Sequence, residues 1–159
     1  MRVAIIPARG GSKRIKNKNI KLFNGKPIIA WSIEEAKKTK LFSKVIVSTD
    51  SNKIRAISEH YGAEVPYIRD KKLSDDNTPV RYVINDVINY LDSQDLEITE
   101  LCFIYATAPF IRKKNLIESY KKLVNNNLDF VFSAIEYDYP IQRSFKILNK
   151  NNLKIFFPK

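Results

Sequence analysis

Short runs of apolar, mostly β-branched residues alternate along this chain with amphipathic segments, and that alternation narrows the possible folds more than any other feature. Val3 to Pro7 reads as a continuous apolar strand, Lys44 to Asp50 as a β-branched one, Glu64 to Ile68 as a short one, and Leu101 to Ala106 and Phe130 to Ile135 as two more. Between them lie helical patterns. Pro27 opens a helix through about Lys38, with Ile29, Ile33 and Ala36 on one face and proline in its first turn. Ser51 starts a helix that stops at Tyr61-Gly62, where glycine can supply the left-handed end. Val80, Val83, Ile84, Val87, Ile88 and Leu91 follow the helical spacing without error, and Leu116, Tyr120, Leu123 and Val124 stripe another helix. Strands apolar on both faces and separated by amphipathic helices predict an α/β fold: a doubly wound, mostly parallel sheet with helices on both faces. In such a sheet ligands bind beyond the carboxyl ends of the strands.

The segment that leaves the first strand is therefore the place to look for chemistry. Ala8-Arg9-Gly10-Gly11-Ser12-Lys13-Arg14-Ile15-Lys16-Asn17-Lys18-Asn19 holds two glycines, a serine and five cationic side chains in twelve residues. No acidic residue precedes Glu34, and eight of the 28 Lys and Arg residues fall in the first 33 positions. Such a loop can bring N–H groups and positive charge to one point, the arrangement a nucleoside triphosphate requires. The loop is not a Walker A motif, and no G-x-G-x-x-G dinucleotide fingerprint occurs. A Gly-Gly turn alone is a weak signal, and a tight basic turn is its plain structural reading.

The net charge of +11 points to an anionic partner or to a Lys- and Asn-rich habit visible at Asn125-Asn126-Asn127 and Asn149-Lys150-Asn151-Asn152. A nucleic-acid-binding domain is the rival that charge suggests. RNP, KH and zinc patterns are missing, however, and the charge concentrates on one loop. No apolar run approaches the length of a membrane span, and no stretch of signal-peptide type opens the chain, so a cytoplasmic location is expected. At 159 residues one domain, 1–159, is expected. Cys102 lies alone in an apolar run and reads as a buried core thiol. His60 reads as a helix-end residue rather than a general base; Asp50 ends a central strand, where carboxylates often serve function, but reads first as a cap for the helix that follows it. No His, Cys or carboxylate cluster has metal-ligand spacing, and no metal residue is assigned.

Met1 to Asn19 closely resembles the nucleotide-binding segment of the sialic-acid-type cytidylyltransferases, which reads roughly A-R-x-x-S-K-x-x-x-x-K-N; Arg9, Ser12, Lys13, Lys18 and Asn19 stand in register. The resemblance runs on through Val45 to Asp50, Arg69, Asp76-Asn77-Thr78 and Ile104 to Phe110, and covers essentially the whole chain. Tyr105-Ala106-Thr107-Ala108-Pro109-Phe110 and Tyr139-Pro140-Ile141-Gln142-Arg143 look closest to the branch that handles pseudaminic acid. The resemblance implies a Rossmann-like, nucleotide-diphospho-sugar-transferase-like fold. It implies a reaction of CTP with an acidic nine-carbon sugar, giving a CMP-sugar and pyrophosphate.

By the same resemblance, Arg9, Lys13 and Lys18 would neutralise the β- and γ-phosphates and the departing charge. Ala8, Gly10, Gly11 and Ser12 would complete the nucleotide loop, with donors from Gly10, Gly11 and Ser12, and Asn19 would hold the ribose or a phosphate oxygen. Arg69, Asp76 and Thr78 would frame the cytosine; the alternatives are a solvated arginine and a cap for the helix at 80–91. Tyr105, Thr107, Gln142 and Arg143 would face the sugar, Arg143 meeting its carboxylate; a polar loop is the alternative for the last two. Mg²⁺ is expected with CTP, its protein ligands being a D-x-D element that relatives carry beyond the point where this chain stops. Residues 137–159 would begin an excursion for sugar binding and dimerisation, and a C-terminally incomplete domain is expected. Lys16 stands where many relatives have proline, which makes the loop less rigid and more positive. The other readings are a non-catalytic nucleotide-binding remnant and an N-acetylneuraminate or Kdo cytidylyltransferase. A homodimer is implied by resemblance only; no nucleic-acid or membrane partner is expected.

Overall fold

A computed structural model of the chain describes residues 1–150 and 152–157; Asn151 in the Asn-rich tract and Pro158-Lys159 at the end lie outside the described residues. Strand β1 (Arg2–Pro7) leads to a small hairpin, β2 (Leu22–Phe23) and β3 (Lys26–Pro27), and then to helix α1 (Ile28–Lys38). Strand β4 (Lys44–Ser48), helix α2 (Asn52–His60), helix α3 (Val80–Asp92), strand β5 (Glu100–Phe103) and helix α4 (Lys113–Asn125) follow. A second hairpin, β6 (Phe145–Asn149) and β7 (Asn152–Ile155), comes last.

The central sheet has the order β4-β1-β5, all parallel. Val3 lies opposite Lys44 on one side of β1 and opposite Leu101 on the other. Beyond β4 the chain adds single parallel bridges, Glu64 to Ile46 and Ile68 to Thr49. The expected strand at 64–68 is thus an interrupted outer edge. Pro66 has no N–H to give a ladder, and such residues are confined to edges.

The alternation of β1 shows why both faces must be covered. Ala4 and Ile6 belong to a buried cluster with Ile29, Ile33, Ala36 and Ile54 of α1 and α2. Val3 and Ile5 point the other way, into a cluster with Val87 and Leu91 of α3. All four β1 residues are fully buried, and no strand with one wet face reads that way. The expected doubly wound α/β architecture is the one observed.

Local signals place the helix ends. Ser51 Oγ accepts from Ile54 N–H at 3.5 Å and caps α2, and Gly62 at φ 83° turns the chain out of it. Helix α3 buries Val83, Val87 and Leu91, while Val80 stays exposed in its first turn.

One expected strand is absent. Phe130 to Ile135 forms no strand; Phe130, Phe132 and Ile135 are 72%, 74% and 89% exposed. Among the described residues the sheet ends at β5, and this apolar run does not pair with that strand's outer edge. A strand needs a neighbour for its N–H and C=O groups, and apolarity alone does not supply one. The tail forms a hairpin, β6 paired antiparallel with β7, exposed throughout.

Candidate functional site

The chain runs from β1 to β4 on one side and returns to β5 on the other, so the carboxyl end of β1 is the point where strand order reverses. A cavity of about 240 Å³ opens there. It is lined by Pro7, Arg9, Ser12, Lys18 and Asn19 after β1, Arg69 beyond β4, Asp75, Asp76 and Thr78 before α3, and Phe103 to Thr107 after β5, with the Ile104 side of that run turned into the core.

The loop after β1 is held at one peptide unit. The Gly10 N–H donates to Asp50 Oδ1 at 2.7 Å, and Asn19 Nδ2 donates to the Arg9 carbonyl at 2.9 Å. Ser12 N–H closes back on the Gly10 carbonyl at 2.9 Å. Room is tight at Gly10: a Cβ there would lie 3.1 Å from Ser51 Cβ, so a side chain fits only if Ser51 gives by a few tenths of an ångström. Gly11 differs. It is exposed, and nothing lies within 4 Å of where its Cβ would be, so a ligand can approach its backbone.

Two of the loop's cations already share an anion. Arg9 Nη2 meets Asp76 Oδ1 at 2.6 Å, Lys13 Nζ meets the other oxygen of the same carboxylate, and Arg9 Nη1 donates to the Asp75 carbonyl at 2.7 Å. Lys13 first and Arg9 second hold the Asp76 carboxyl below its ordinary range. Asp75 is also lowered, because its carboxylate accepts the Thr78 and Asn77 backbone N–H groups. The segment 70–79 is thus a strap laid over the loop, with its own turn built around Asp75. Its base is Arg69, only 3% exposed. Arg69 Nε donates to Ser74 Oγ at 3.0 Å, and Nη1 to the Ser48 carbonyl and hydroxyl at 3.3 and 3.4 Å. Burial lowers the guanidinium's pKa, and the nearby Asp50 and Asp86 charges oppose that; an arginine stays protonated in either case.

Set beside the expectations, Ala8, Arg9, Gly10, Gly11, Ser12, Lys13, Lys18 and Asn19 form one loop, and Arg69, Asp76 and Thr78 stand across the cavity from it. Asn19 is buried and its amide is spent on the Arg9 carbonyl. The Gly10 N–H is likewise spent on Asp50. The solvated reading of Arg69 fails on its burial. The capping reading of Asp76 and Thr78 fails as well: Pro79 occupies the N-cap of α3 with no side-chain bond, and Thr78 Oγ1 donates to the Lys72 carbonyl. Asp50 is not the cap of α2, since Ser51 is; its carboxylate turns toward Gly10 instead.

Tyr105 and Thr107 line the cavity on the β5 side, and Ser32 Oγ of α1 donates to the Tyr105 carbonyl at 2.8 Å. Gln142 and Arg143 lie elsewhere, on a single 3₁₀ turn (Ile141–Arg143). Arg143 lines a wider, open hollow of about 600 Å³ with Tyr137 to Ile141 and Ser144. We place the site in the smaller cavity, because the strand ends and the cations converge there. Sequence reasoning missed Ser74 and Asp75 as partners of the site, and at Asp50 it preferred a helix cap over a functional strand-end carboxylate. Asp50 and Gly10 are 40 positions apart, and only the parallel pairing of β1 with β4 brings them together.

Carboxylates at the cavity are already engaged, Asp75 by backbone N–H groups, Asp76 by Arg9 and Lys13, and Asp50 by Gly10. Among the described residues no group of three or more His, Cys, Asp or Glu is arranged to hold a metal ion. The residues present do not make a magnesium cage, and none is assigned to that ion. No helix among them is long and apolar enough to cross a membrane.

Comparison with known proteins gives a consistent picture. A family model described as cytidylyltransferase matches residues 3–157. A pseudaminic acid cytidylyltransferase of Campylobacter jejuni subsp. jejuni is 45% identical over 155 residues, 98% of this chain and 66% of that protein. A CMP-N,N'-diacetyllegionaminic acid synthase of Legionella pneumophila is 35% identical over 114 residues, 72% of this chain and 49% of its own length. Among solved structures, a CMP:2-keto-3-deoxy-manno-octonic acid synthetase complexed with CTP superposes with a TM-score of 0.63 at 21% identity, over 79% of this chain and 48% of that one. A cytidylyltransferase from Leptospira borgpetersenii gives 0.60 at 21% identity, over 79% and 49%. These two likenesses speak for the fold. The chain spans about two thirds of the length of the pseudaminic acid relative, at 66%.

Proposed function

The chain belongs to the cytidylyltransferase family, and on that premise we propose that it contributes the nucleotide-binding part of an enzyme that activates an acidic nonulosonic sugar with CTP. Pseudaminic acid is the favoured sugar, because the relative that matches along 98% of the chain is a pseudaminic acid cytidylyltransferase. The observation that carries the proposal is the meeting of Arg9, Lys18 and the buried Arg69 in one cavity at the strand-reversal point, with Lys13 beside Arg9 on Asp76 and the Gly11 backbone left open.

In the proposed reaction the anomeric hydroxyl oxygen bonds to the α-phosphorus as the bond from that phosphorus to the bridging oxygen breaks. Pyrophosphate leaves with the electron pair, and the hydroxyl proton is lost to solvent. Catalysis of this kind rests on positioning and charge. Arg9 offers a planar fork that can grip two phosphate oxygens, while Lys13 and Lys18 act as point charges. Ser12 adds a hydroxyl donor. Arg69, fixed by Ser48 and Ser74, presents its remaining donors to the wall where the base would lie. Tyr105 and Thr107 form the opposite wall, toward the sugar. Gln142 and Arg143 sit on the 3₁₀ turn after α4, before β6, and a sugar contact from them requires that stretch to lie over the cavity. Mg²⁺ bound to the triphosphate would add charge neutralisation.

The test is calorimetric titration with CTP, UTP, ATP and GTP, followed by pyrophosphate release with a panel of nonulosonic acids and Kdo in the presence of Mg²⁺. CTP is expected to bind tightest, and reversing charge at Arg9 and Lys13 together should abolish that binding. Equal binding of all four nucleotides, or CTP affinity indifferent to the charge reversal, refutes the assignment. A release profile peaking on another acid would keep the chemistry and change the sugar.

A further inference from the structure

We propose that Asp50 is a positioning residue of the nucleotide loop, acting with Asn19 as a two-sided clamp on the Arg9–Gly10 peptide. The inference rests on the nucleotide-binding reading above and adds to it a residue that touches no ligand.

The geometry is specific to one amide plane. On its carbonyl side Asn19 donates from Nδ2, and on its N–H side Asp50 accepts through Oδ1. A peptide unit is planar and its two ends point in opposite directions, so fixing both stops rotation about the flanking ψ and φ bonds. The Arg9 side chain leaves from one end of this plane, and Gly11 follows from the other. Fixing the plane therefore sets where the guanidinium starts, and the next plane, which carries the Gly11 N–H, is held in turn by the Ser12 N–H on the Gly10 carbonyl.

The clamp is itself well anchored. Asn19 is 6% exposed and carried on a 3₁₀ turn, Lys18–Ile20. Asp50 follows directly on Thr49, whose backbone carbonyl accepts from Arg69 N–H and whose hydroxyl accepts from Ser51 N–H. An ionised carboxylate accepting a backbone N–H makes a shorter and stronger bond than a neutral pair, which suits a loop that must keep its shape while phosphates pull on it.

The same contact has a cost that shows its purpose. A carboxylate beside a phosphate site repels the ligand. Here that charge is turned away onto Gly10, and its field falls on the buried Arg69. Asp50 would thus act through the loop, with no bond to the nucleotide.

The experiment compares Asp50→Ala and Asp50→Asn with the parent chain by three readouts: CTP affinity, cytidine affinity and hydrogen exchange at the Gly10 amide. Asn keeps a carbonyl oxygen for Gly10, whereas Ala removes it. Asp50→Ala is expected to weaken CTP about tenfold, the scale of one charge-assisted hydrogen bond. Cytidine, which has no phosphates, should be unaffected, Asp50→Asn should recover most of the loss, and Gly10 exchange should quicken only in the alanine variant. If Asp50→Asn is as weak as Asp50→Ala, the charge acts on Arg69 and the clamp is refuted. Gly10 exchange equally fast in the parent and in Asp50→Ala refutes it as well. That second readout needs no ligand, so failure of the parent to bind CTP would count against the nucleotide reading and leave the clamp to be judged on exchange.

Discussion

At Asp76 one carboxylate occupies two cations that a phosphate chain would need. Its oxygens bridge Arg9 and Lys13, an arrangement close to what a phosphate group would itself make. The carboxylate therefore competes with the ligand, and an exposed pair of this kind exchanges readily because each contact is weak. Asp76→Asn should tighten CTP about threefold to tenfold, on the usual scale of exposed ion pairs. Calorimetry beside Asp70→Asn, which makes the same charge change on the same strap away from both cations, checks it. Equal tightening by both variants would reduce the effect to bulk charge. A weaker CTP complex in Asp76→Asn would return Asp76 to the role of a direct ligand of the nucleotide.

Cys102 shows a second residue-level effect. Burial pushes its thiol up to about 11, so thiolate is scarce at neutral pH. Labelling with a disulfide reagent at pH 8 should be slow in the native protein and fast after denaturation, and native labelling should accelerate only as pH rises toward that value. Rapid labelling of the folded chain at pH 8 would contradict the packing described for β5.

At the level of elements, the helices differ in what their buried positions contribute. Leu91 of α3 is 1% exposed, and its truncation to alanine should cost about 2–5 kcal/mol through lost burial and an unfilled cavity. Ser58 of α2 is fully buried, and its hydroxyl has no hydrogen-bond partner among the described residues. Ser58→Ala should leave stability unchanged or raise it by up to about 1 kcal/mol, since an unmet polar group is removed. Urea unfolding of both variants is the measurement, and marked destabilisation by Ser58→Ala would mean that the hydroxyl is satisfied in solution.

The same level shows what the sequence could and could not disclose. Helix α3 and strands β1 and β4 were legible because spacing and β-branching are local properties. The loop after β1 was legible as a site because its glycines and cations are contiguous. The clamp on Gly10 was not, since Asp50 looks like any residue before a helix until the strands pair. Phe130 to Ile135 misled for the converse reason: its composition suits a strand, but a ladder needs a neighbour that composition does not reveal. The cap held open as the alternative for Asp76 and Thr78 does not form, because Asp75, one residue earlier, takes the turn's N–H groups.

Over the whole molecule, the apolar surface is unevenly distributed. The α/β body buries the inward-facing apolar side chains of β1, α1 and α3, such as Ile5, Ile33 and Val87, while the run from Phe130 to Phe157 leaves many large apolar groups open, among them Ile135 at 89% and Tyr139 at 84%. Local stability follows such packing. Limited trypsin digestion should therefore cut first within this arm, at Arg143, Lys146 or Lys154, and leave a resistant fragment that contains α1 to α4. Early cleavage inside β1 to α3 would reverse that ranking of stabilities.

One small contact bears on how ligands enter. The Ser32 hydroxyl in α1 fastens the carbonyl of Tyr105, and α1 packs against β1 as well. Two of the crevice's banks are hence moored to a single helix and cannot part without bending it. Admission of a bulky guest falls to the remaining bank, residues 70–79, which is tied to the loop through the Arg9 and Lys13 side chains and adjoins a deeply seated arginine.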